Sequence, residues 1–189
     1  MTIAIRPERP DDEERIRAIN DAAFGGPSES LIVDQLRGSD DWIDGGSLVA
    51  EVDGAELNGV VVDGPETDGA LVGHILLSLG TLDLESGGIR LIWMVGPVSV
   101  VPERQRRGIG SALTRAAISL ATARGEPLLC LIGHADYYPR FGFEPARGLG
   151  IEPPRLSWRD ANWMALRLPA WEPSLRGTAR FPAAFPDSH

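Results

Sequence analysis

The feature that most constrains the fold is a strand, a glycine-containing turn, a helix and a second strand that follow one another between residues 89 and 133. IRLIWMVGPVSVV at 89–101 is an apolar strand pattern, and VPERQRRGIGSAL at 101–113 holds three arginines and two glycines. Apolar residues then recur at helical spacing as far as Leu120. PLLCLIG at 127–133 is the uninterrupted apolar run of a strand buried on both faces. This order predicts a βαβ unit.

Two earlier helices are predicted from capping signals and apolar spacing. Asp11 is a good N-cap for a helix that ends at Phe24, before the Gly-Gly-Pro at 25–27. Ser28 is the predicted N-cap of a second helix over 29–37. The residues expected to face inward on this second helix are Leu31, Ile32 and Leu36.

Strand patterns account for most of the remaining chain. They lie at 2–6, 47–52, 70–84, 89–101, 127–133 and 162–168. The segment 53–69, rich in Gly, Asp and Pro, is either an irregular hairpin or an extended connection. Consecutive middle strands without helices between them are predicted to run antiparallel, whereas the βαβ unit adds a parallel pair. The expected fold class is α+β, with one mixed sheet.

Length and charge restrict the partners that this chain suits. Its 189 residues fit one domain, and a net charge of −9 argues against nucleic acid or an anionic membrane as the main partner. Cys130 is the single cysteine and lies in the apolar run, which indicates a core residue rather than a nucleophile. With one cysteine and no signal-like N-terminal stretch, a cytoplasmic location is expected.

The turn at 101–113 has the chemistry of an anion site. Backbone N–H groups at a helix N-terminus have no partner within the helix, and the helix dipole favours negative charge there. Gly108 and Gly110 lack a Cβ, so a phosphate can approach the main chain. The guanidinium donors of the turn belong to Arg104, Arg106 and Arg107. A surface turn with solvated arginines is the alternative interpretation.

Two better-known phosphate motifs do not match this turn. A P-loop needs a lysine after its second glycine, and the chain contains no lysine. A Rossmann fingerprint needs a third glycine where Leu113 stands. A nucleotide-dependent oxidoreductase that uses the glycine turn remains one alternative function.

The stretch VSVVPERQRRGIGSAL, from Val98 to Leu113, resembles the acetyl-CoA-binding motif of the GNAT superfamily of N-acetyltransferases: a strand ends in V-x-P, and Q-x-x-G-x-G and a helix follow. YYPRFGF at 137–143 is similar to a later landmark of that family, a tyrosine four residues before the glycine of a G-F pair. The opening I-R-P-x-x-x-D, ending at Asp11, is also typical. The similarity spans about residues 3–168 and is greatest to the YhbS-like group of predicted bacterial N-acetyltransferases.

This resemblance implies the GNAT fold, a mixed, mostly antiparallel sheet of about six or seven strands flanked by helices. Residues 1–168 would form the acetyltransferase domain, and the Pro-rich residues 169–189 would pack on it as a tail. Acetyl-CoA would be the co-substrate, its pyrophosphate on the backbone N–H groups of 106–111 and its pantetheine arm along the preceding strand. The implied binding residues are Val98, Ser99, Val100, Arg106, Arg107, Gly108, Ile109, Gly110 and Ser111. The Ser99 side chain points either toward the acceptor or into the core.

The resemblance also implies direct attack of an amine on acetyl-CoA, with Tyr138 as the general acid that protonates the departing CoA thiolate. A structural role is the alternative for Tyr138 and the preferred one for Tyr137. The strand IWMVGPVSV lacks the glutamate that many GNAT enzymes use as a base. No base is selected among the other carboxylates considered, Glu29, Asp83, Glu85 and Glu103. Water, or an acceptor deprotonated before it binds, could serve instead.

The remaining candidates are the histidines and a metal. His74, on an alternating strand, is predicted to be structural, whereas His134 precedes the Tyr138 turn and could reach the cleft. No metal is expected, because no His, Cys or carboxylate group has ligand spacing. The acceptor would be a small-molecule or peptide amine, and the assembly a monomer or a homodimer. A module that binds acyl-CoA without turnover is the main alternative, because the strand glutamate is missing.

Overall fold

Three α-helices organise the part of the chain that the computed structural model describes, residues 2–52, 56–57, 60–61 and 70–185. They are α1 (Glu13–Phe24), α2 (Ser28–Arg37) and α3 (Ile109–Ala123). Short 3-10 helices lie at Pro10–Asp12, Pro102–Arg104, Tyr138–Phe141 and Ala146–Leu149. None of the helices described is long and apolar enough to cross a membrane.

The described strands form one large sheet and one small hairpin. They are β1 (Ile3–Pro7), β2 (Trp42–Val52), β3 (Glu56–Leu57), β4 (Val60–Val61), β5 (Ala70–Leu84), β6 (Ile89–Val100), β7 (Leu128–Ile132), β8 (Glu144–Pro145), β9 (Ile151–Glu152), β10 (Trp163–Arg167) and β11 (Gly177–Arg180). β3 and β4 pair with each other, so this part of 53–69 is a hairpin; the rest of that segment lies outside the described residues.

The large sheet follows the order β1-β2-β5-β6-β7-β10-β8, and β11 pairs with both β5 and β9. Two pairs, β6 with β7 and β9 with β11, are parallel, and the other pairs are antiparallel. The predicted mixed, mostly antiparallel α+β fold is therefore confirmed. Seven strands lie on the main path, and β9 and β11 bring the described sheet to nine.

Helices cover both faces of this sheet. α3 packs on one face, where Leu113 and Ala117 share a buried cluster with Leu77 and Trp93. α1 and α2 cover the opposite face through a second cluster, whose buried members are Ile16, Ile19, Ile32, Val33, Leu36, Val49, Leu71 and Leu76. Because apolar side chains lie on both sides, the sheet is a core layer, and its functional groups must come from strand ends and loops.

β7 confirms the interpretation of its apolar run as a strand buried on both faces. Leu129 and Leu131 belong to the cluster under α3, whereas Leu128 and Cys130 belong to a third cluster on the other side. Successive strand residues alternate between faces, so a strand with no polar alternation needs packing on both.

The start of α1 differs from the prediction. Asp11 lies in a 3-10 turn, and Asp12 is the acid that organises this end of the helix. Its carboxylate accepts hydrogen bonds from the Arg6 guanidinium at 2.6 and 3.1 Å and from the Arg9 backbone N–H at 2.7 Å. The hydrogen bond from Arg6 holds the pKa of Asp12 below its usual range. The arginine of β1 thus ties the first strand to the first helix.

The start and the buried face of α2 also correct the prediction. Ser28 is the first residue of the helix and Pro27 occupies the N-cap position, so Ser28 does not cap it. Leu31 is 52% exposed and does not face inward. The buried apolar stripe consists of Ile32, Val33 and Leu36. Leu31 lies on the flank of that stripe, because each helix step turns the side chain by about 100°.

β2 begins five residues earlier than the predicted strand, at Trp42 rather than at 47. Trp42 pairs with Ser78 of β5, and the register shifts before Ser47 pairs with Leu76. Gly46 lies in this irregular part, and a Cβ there would be 2.8–2.9 Å from atoms of Ile43 and Leu77. Gly46 therefore allows a bulge inside the strand.

The tail contains a strand that the sequence analysis did not include. β11 pairs antiparallel with residues 81–84 of β5. It carries Ala179 into the third cluster, beside the buried Trp163, and Phe181 packs against the same cluster. On the exposed side, the Arg180 guanidinium lies 2.6 Å from the Asp83 carboxylate. Residues 177–180 of the tail are thus part of the sheet.

The contrast between Leu36 and Leu31 provides a test of the packing on α2. Leu36→Ala should lower the free energy of unfolding by about 2–5 kcal/mol, because the side chain is fully buried and its removal leaves a cavity. Leu31→Ala, on the same helix, should change it by less than about 0.5 kcal/mol. Urea denaturation monitored by circular dichroism measures both. Equal losses would contradict the orientation of α2.

Candidate active site

β6 and β7 separate partway along their length. Their parallel pairing consists of Trp93 with Leu129 and Met94 with Cys130. Beyond it, β6 remains paired with β5 and β7 with β10, and a register shift interrupts β6 after Val95. A bulge of this kind bends a strand away from its neighbour. A large cavity of about 610 Å³ opens where the two strands diverge, a size typical of ligand sites.

Three segments of the chain line this large cavity. β6 contributes Val98 and Val100. The turn and the start of α3 contribute Arg104, Gln105, Arg106, Gly108, Gly110 and Ser111. The segment after β7 contributes His134, Tyr137, Tyr138 and Arg140. The two motifs singled out in the sequence therefore line one cavity.

The glycine turn presents backbone N–H groups to the cavity. Gly108 has φ of 89°, a left-handed conformation that favours glycine, and α3 begins at the next residue. The N–H groups of residues 109–111 have no acceptor within α3, because they belong to its first turn. The Gln105 amide donates to the Val100 carbonyl at 3.1 Å and ties the turn to the end of β6. This end of the cavity therefore has the chemistry of an anion site.

Gly110 has a steric role in addition. A Cβ at this position would lie 2.9 Å from the hydroxyl oxygen of Tyr137. The absence of a side chain therefore lets the tyrosine segment approach the first turn of α3. Arg140 lies over the Tyr137 ring, with 4.8 Å between its guanidinium carbon and the ring centroid. Tyr137 thus helps to close the wall of the cavity, in agreement with the structural role preferred for it.

The lining of the cavity is cationic although the chain is acidic. Arg104, Arg106 and Arg140 belong to it, and no carboxylate occurs among the described lining residues. Guanidinium groups form paired hydrogen bonds with phosphate oxygens. The arginines and the dipole of α3 act in the same direction, so the arrangement attracts a phosphorylated ligand.

Tyr138 is held rigidly in the wall of the cavity. Its ring makes edge contacts with Tyr137 and Phe143, at centroid distances of 5.0 and 5.7 Å. Gly133 makes room for it, since a Cβ at 133 would overlap the Tyr138 ring. Burial raises the pKa of Tyr138, and the neighbouring Tyr137 raises it further. The phenol is therefore protonated at neutral pH and can donate a proton but not accept one.

Three of the residues predicted to bind a cofactor do not line the cavity. The Ser99 side chain lies buried on the α1 face, its hydroxyl 3.5 Å from the His74 carbonyl, so it points into the core rather than toward an acceptor. Ile109 is a core residue and Arg107 is exposed to solvent. Any contact that Ile109 makes with a ligand would come from its backbone N–H. The other six predicted residues all border the cavity.

None of the four carboxylates considered as a base lies at the large cavity. Asp83 pairs with Arg180, and Glu85 lies 3.5 Å from Arg176, both on the side covered by the tail. Glu103 is exposed and Glu29 lies near the start of α2, and neither lines the cavity. The described lining thus offers no carboxylate for proton transfer.

A second, small cavity of about 440 Å³ adjoins the end of β7. Its lining residues are Ile132, Gly133, His134, Ser157, Trp158, Arg159 and Asn162. Of these, Gly133 and His134 lie in the stretch between β7 and Tyr138, and His134 borders both cavities. The loop that carries Trp158 and Arg159 was not singled out in the sequence, because it contains no motif and joins the site only through the fold.

Cys130 and metal ligands complete the survey of reactive groups. Cys130 is fully buried, and burial raises the pKa of its thiol, so it remains protonated in the core. Within the described part of the chain, no group of three His, Cys, Asp or Glu side chains is arranged to hold a metal ion.

His74 lies outside both cavities and belongs to a buried row of hydrogen-bonded side chains. Its Nδ1 atom lies 3.1 Å from the Asn20 amide nitrogen and its Nε2 atom 2.9 Å from the Ser47 hydroxyl oxygen. Ser47 donates its own hydrogen to Glu8, which in turn binds Arg37 at 2.9 Å. Nε2 therefore carries the imidazole hydrogen and Nδ1 accepts. These hydrogen bonds link α1, β2 and β5, which is a structural role for His74.

Comparison with known proteins identifies related chains. Residues 4–146 match the family model described as acetyltransferase (GNAT) domain. The chain is 32% identical over 172 residues to YjhQ of Escherichia coli K12, described as an uncharacterised N-acetyltransferase, covering 89% of this chain and 86% of that one. A GNAT family acetyltransferase from Brucella melitensis, solved in complex with acetyl-CoA, is 30% identical with a TM-score of 0.72, covering 98% and 99% of the two chains.

A further solved structure shares the fold. YhbS from Escherichia coli, a GNAT family N-acetyltransferase crystallised with CoA, superposes with a TM-score of 0.74 at 21% identity. The match covers 97% of this chain and 91% of that one. The similarity extends beyond β10 and therefore includes most of the tail.

His74 should make the protein less stable in mild acid. Burial lowers its pKa from 6.5 to about 3 in the folded state, with a smaller contribution from Arg37. The unfolded chain therefore binds a proton below pH 6.5 that the folded chain does not bind. The stability that neutral His74 provides is complete above pH 6.5 and is lost as the pH falls toward 3. The loss should be on the order of 1 kcal/mol for each pH unit.

Urea denaturation at pH 7, 6 and 5 checks this expectation. His74→Gln should be less stable at pH 7 but should lose this part of the pH dependence between pH 6.5 and 5. A wild-type free energy of unfolding that stays constant over that interval would contradict the buried neutral imidazole.

Proposed function

Because the chain belongs to the GNAT acetyltransferase family, we propose that it transfers an acetyl group from acetyl-CoA to an amine. The observation that carries this proposal is the large cavity, whose lining includes both the glycine turn and Tyr138. The acetyl-CoA complex of the 30%-identical Brucella protein supports the choice of donor. The acceptor would be a small-molecule or peptide amine.

The donor would bind by its phosphates at the start of α3. Backbone N–H groups of Ile109, Gly110 and Ser111 would receive the pyrophosphate, at the positive end of the helix dipole. Arg104, Arg106 and Arg140 border the same cavity and would supply charge and paired donors. The absence of a Cβ at Gly108 and Gly110 would allow the phosphates to reach the main chain.

The pantetheine arm would lie along β6. Beyond Met94 this strand has lost β7 as a partner, so its edge that faces away from β5 is free for a ligand. An extended amide-containing arm can pair with such an edge in the way that an added strand does. A backbone N–H of the strand would then also polarise the thioester carbonyl and stabilise the oxyanion of the tetrahedral intermediate.

Tyr138 would act as the general acid. The nitrogen of the acceptor attacks the thioester carbon, a C–N bond forms, the C–S bond breaks, and the thiolate takes the phenol proton. Burial keeps that proton on the oxygen until the thiolate develops. The ring contacts with Tyr137 and Phe143 would fix the hydroxyl in position, as catalysis by a positioned group requires.

One test separates this proposal from an acyl-CoA-binding module without turnover, an alternative favoured by the absence of a carboxylate among the described lining residues. CoA release from acetyl-CoA is measured with a thiol reagent over a panel of primary amines. An enzyme should exceed the rate without amine for at least one acceptor. If acetyl-CoA raises the melting temperature but no amine accelerates CoA release, the binding module is supported. Clear NAD(P) binding without CoA binding would instead favour a nucleotide-dependent oxidoreductase.

Gly110→Glu should abolish acetyl-CoA binding. The new carboxylate would occupy the approach to the first turn of α3 and repel the pyrophosphate. Isothermal titration calorimetry measures the binding, and circular dichroism checks that the variant is folded. Gly148→Glu is the matched control, because that glycine has open space around it and lies outside the cavity. Retained binding in Gly110→Glu would refute the assignment of the phosphate site.

Tyr138→Phe should lower kcat by about tenfold or more, an increase of on the order of 1.4 kcal/mol in the barrier, with little change in acetyl-CoA affinity. The variant keeps the ring contacts and loses only the proton donor. Tyr137→Phe is the matched control, because its hydroxyl lies beside Gly110 and has no proposed role in proton transfer. A rate unchanged in Tyr138→Phe would leave that tyrosine with a packing role alone.

A further inference from the structure

We propose that His134 is the general base that deprotonates the acceptor amine. This inference rests on the proposed acetyl transfer and assigns the partner that Tyr138 needs, a group that takes a proton from the nucleophile. It also assigns the small cavity as the side from which the acceptor approaches. The observation behind it is that His134 borders both cavities.

The fold places His134 between the proposed donor site and a separate opening. His134 follows β7 by two residues, where β7 has diverged from β6. Its carbonyl accepts the backbone N–H groups of Tyr137 at 3.0 Å and Tyr138 at 3.4 Å. The base and the acid are therefore fixed in one tight turn, and a change in one backbone position moves both.

The anchoring of the neighbouring loop supports the same assignment. The Gly133 N–H donates to the Asn162 carbonyl at 2.9 Å, and the Asn162 amide donates to the Gly133 carbonyl at 2.8 Å. This reciprocal pair holds the loop with Trp158 against the end of β7. The small cavity is thereby a formed feature next to His134, and its Trp158 and Ile132 provide apolar surface for the body of an amine.

Other proton acceptors are missing from the described lining of both cavities. Besides His134, the ionisable side chains there are arginines, Tyr137 and Tyr138. Arginine stays protonated in proteins, and burial keeps Tyr138 protonated as well. Imidazole is the side chain that most readily exchanges a proton between pH 5 and 8. The exposure of His134 also gives the proton a route to solvent.

The protons balance in this scheme. The ammonium form of the acceptor gives one proton to His134, and the freed lone pair forms the C–N bond to the acetyl carbon. The C–S bond breaks, and the CoA thiolate takes the proton of Tyr138. The second proton on the nitrogen then returns to the Tyr138 oxygen through water. His134 releases its proton to solvent, so that an amide, CoA and one proton are the products.

A pair of nucleophiles tests this role, with wild type and His134→Gln compared. The first is the alkylamine that the wild type acetylates fastest in the panel described above, which is mainly an ammonium ion at neutral pH. The second is hydroxylamine, which is mainly unprotonated there and needs no base before it attacks. The variant should lose about 100-fold or more in kcat/KM with the alkylamine. With hydroxylamine it should lose less than about threefold.

The pH dependence gives a readout that a merely structural role would not affect. His134→Gln can use only the free-base form of the alkylamine, so its rate should rise with pH in proportion to that form, whereas the wild-type rate should depend less steeply on pH. Acetyl-CoA affinity and melting temperature should be retained in the variant. Equal losses with both nucleophiles, or an unchanged rate with the alkylamine, would overturn the assignment.

If no amine is turned over, the proposed acetyl transfer is refuted. A binding experiment then still tests the placement of His134. Imidazole NMR signals are recorded for the wild type, and the signal missing from His134→Gln identifies His134. Acetyl-CoA should shift this signal, whereas adenosine 3′,5′-bisphosphate, which carries phosphates but no thioester, should not. A signal that acetyl-CoA leaves unmoved would place His134 away from the reacting carbon and overturn the proposal.

Discussion

The end of the pairing between β6 and β7, after Met94 and Cys130, is the constraint on which the rest of the site depends. Up to that point the two strands share a ladder in a sheet with helices on both faces. Beyond it, β6 remains paired with β5 and β7 with β10. The edge of β6 that faces away from β5 therefore has no strand of the described part of the chain beside it. Both cavities and the Tyr138 turn lie at this divergence. A strand edge without a neighbour is ordinarily a liability, and here it borders the large cavity.

Burial gives His74 and His134 two different environments. His74, buried in a chain of hydrogen bonds from Asn20 to Glu8, is kept neutral and holds α1 to the sheet. His134 is exposed to solvent and borders both cavities. The two imidazoles are the same chemical group, and the number of apolar neighbours and the access of water decide what each can do.

The sequence predicted the βαβ unit, the α+β class and the two motifs that meet in the large cavity. It did so because these features depend on local spacing: an apolar run for β7, glycines at Gly108 and Gly110, and a tyrosine four residues before Gly142. Errors occurred where tertiary contacts override local signals. Ser28 does not cap α2, Leu31 faces solvent, β2 runs through Gly45 and Gly46, and β11 was not foreseen.

What the sequence by itself determined is a turn with the chemistry of an anion site, because a glycine turn before a helix exposes N–H groups whatever surrounds it. Only the tertiary structure decided which side chains share the cavity with that turn. Ser99 alternates into the core, the four candidate carboxylates lie elsewhere, and His134 comes to border both cavities through the divergence of two strands. Such proximity joins residues far apart in the chain, and it arises from the packing of the whole sheet rather than from any local pattern.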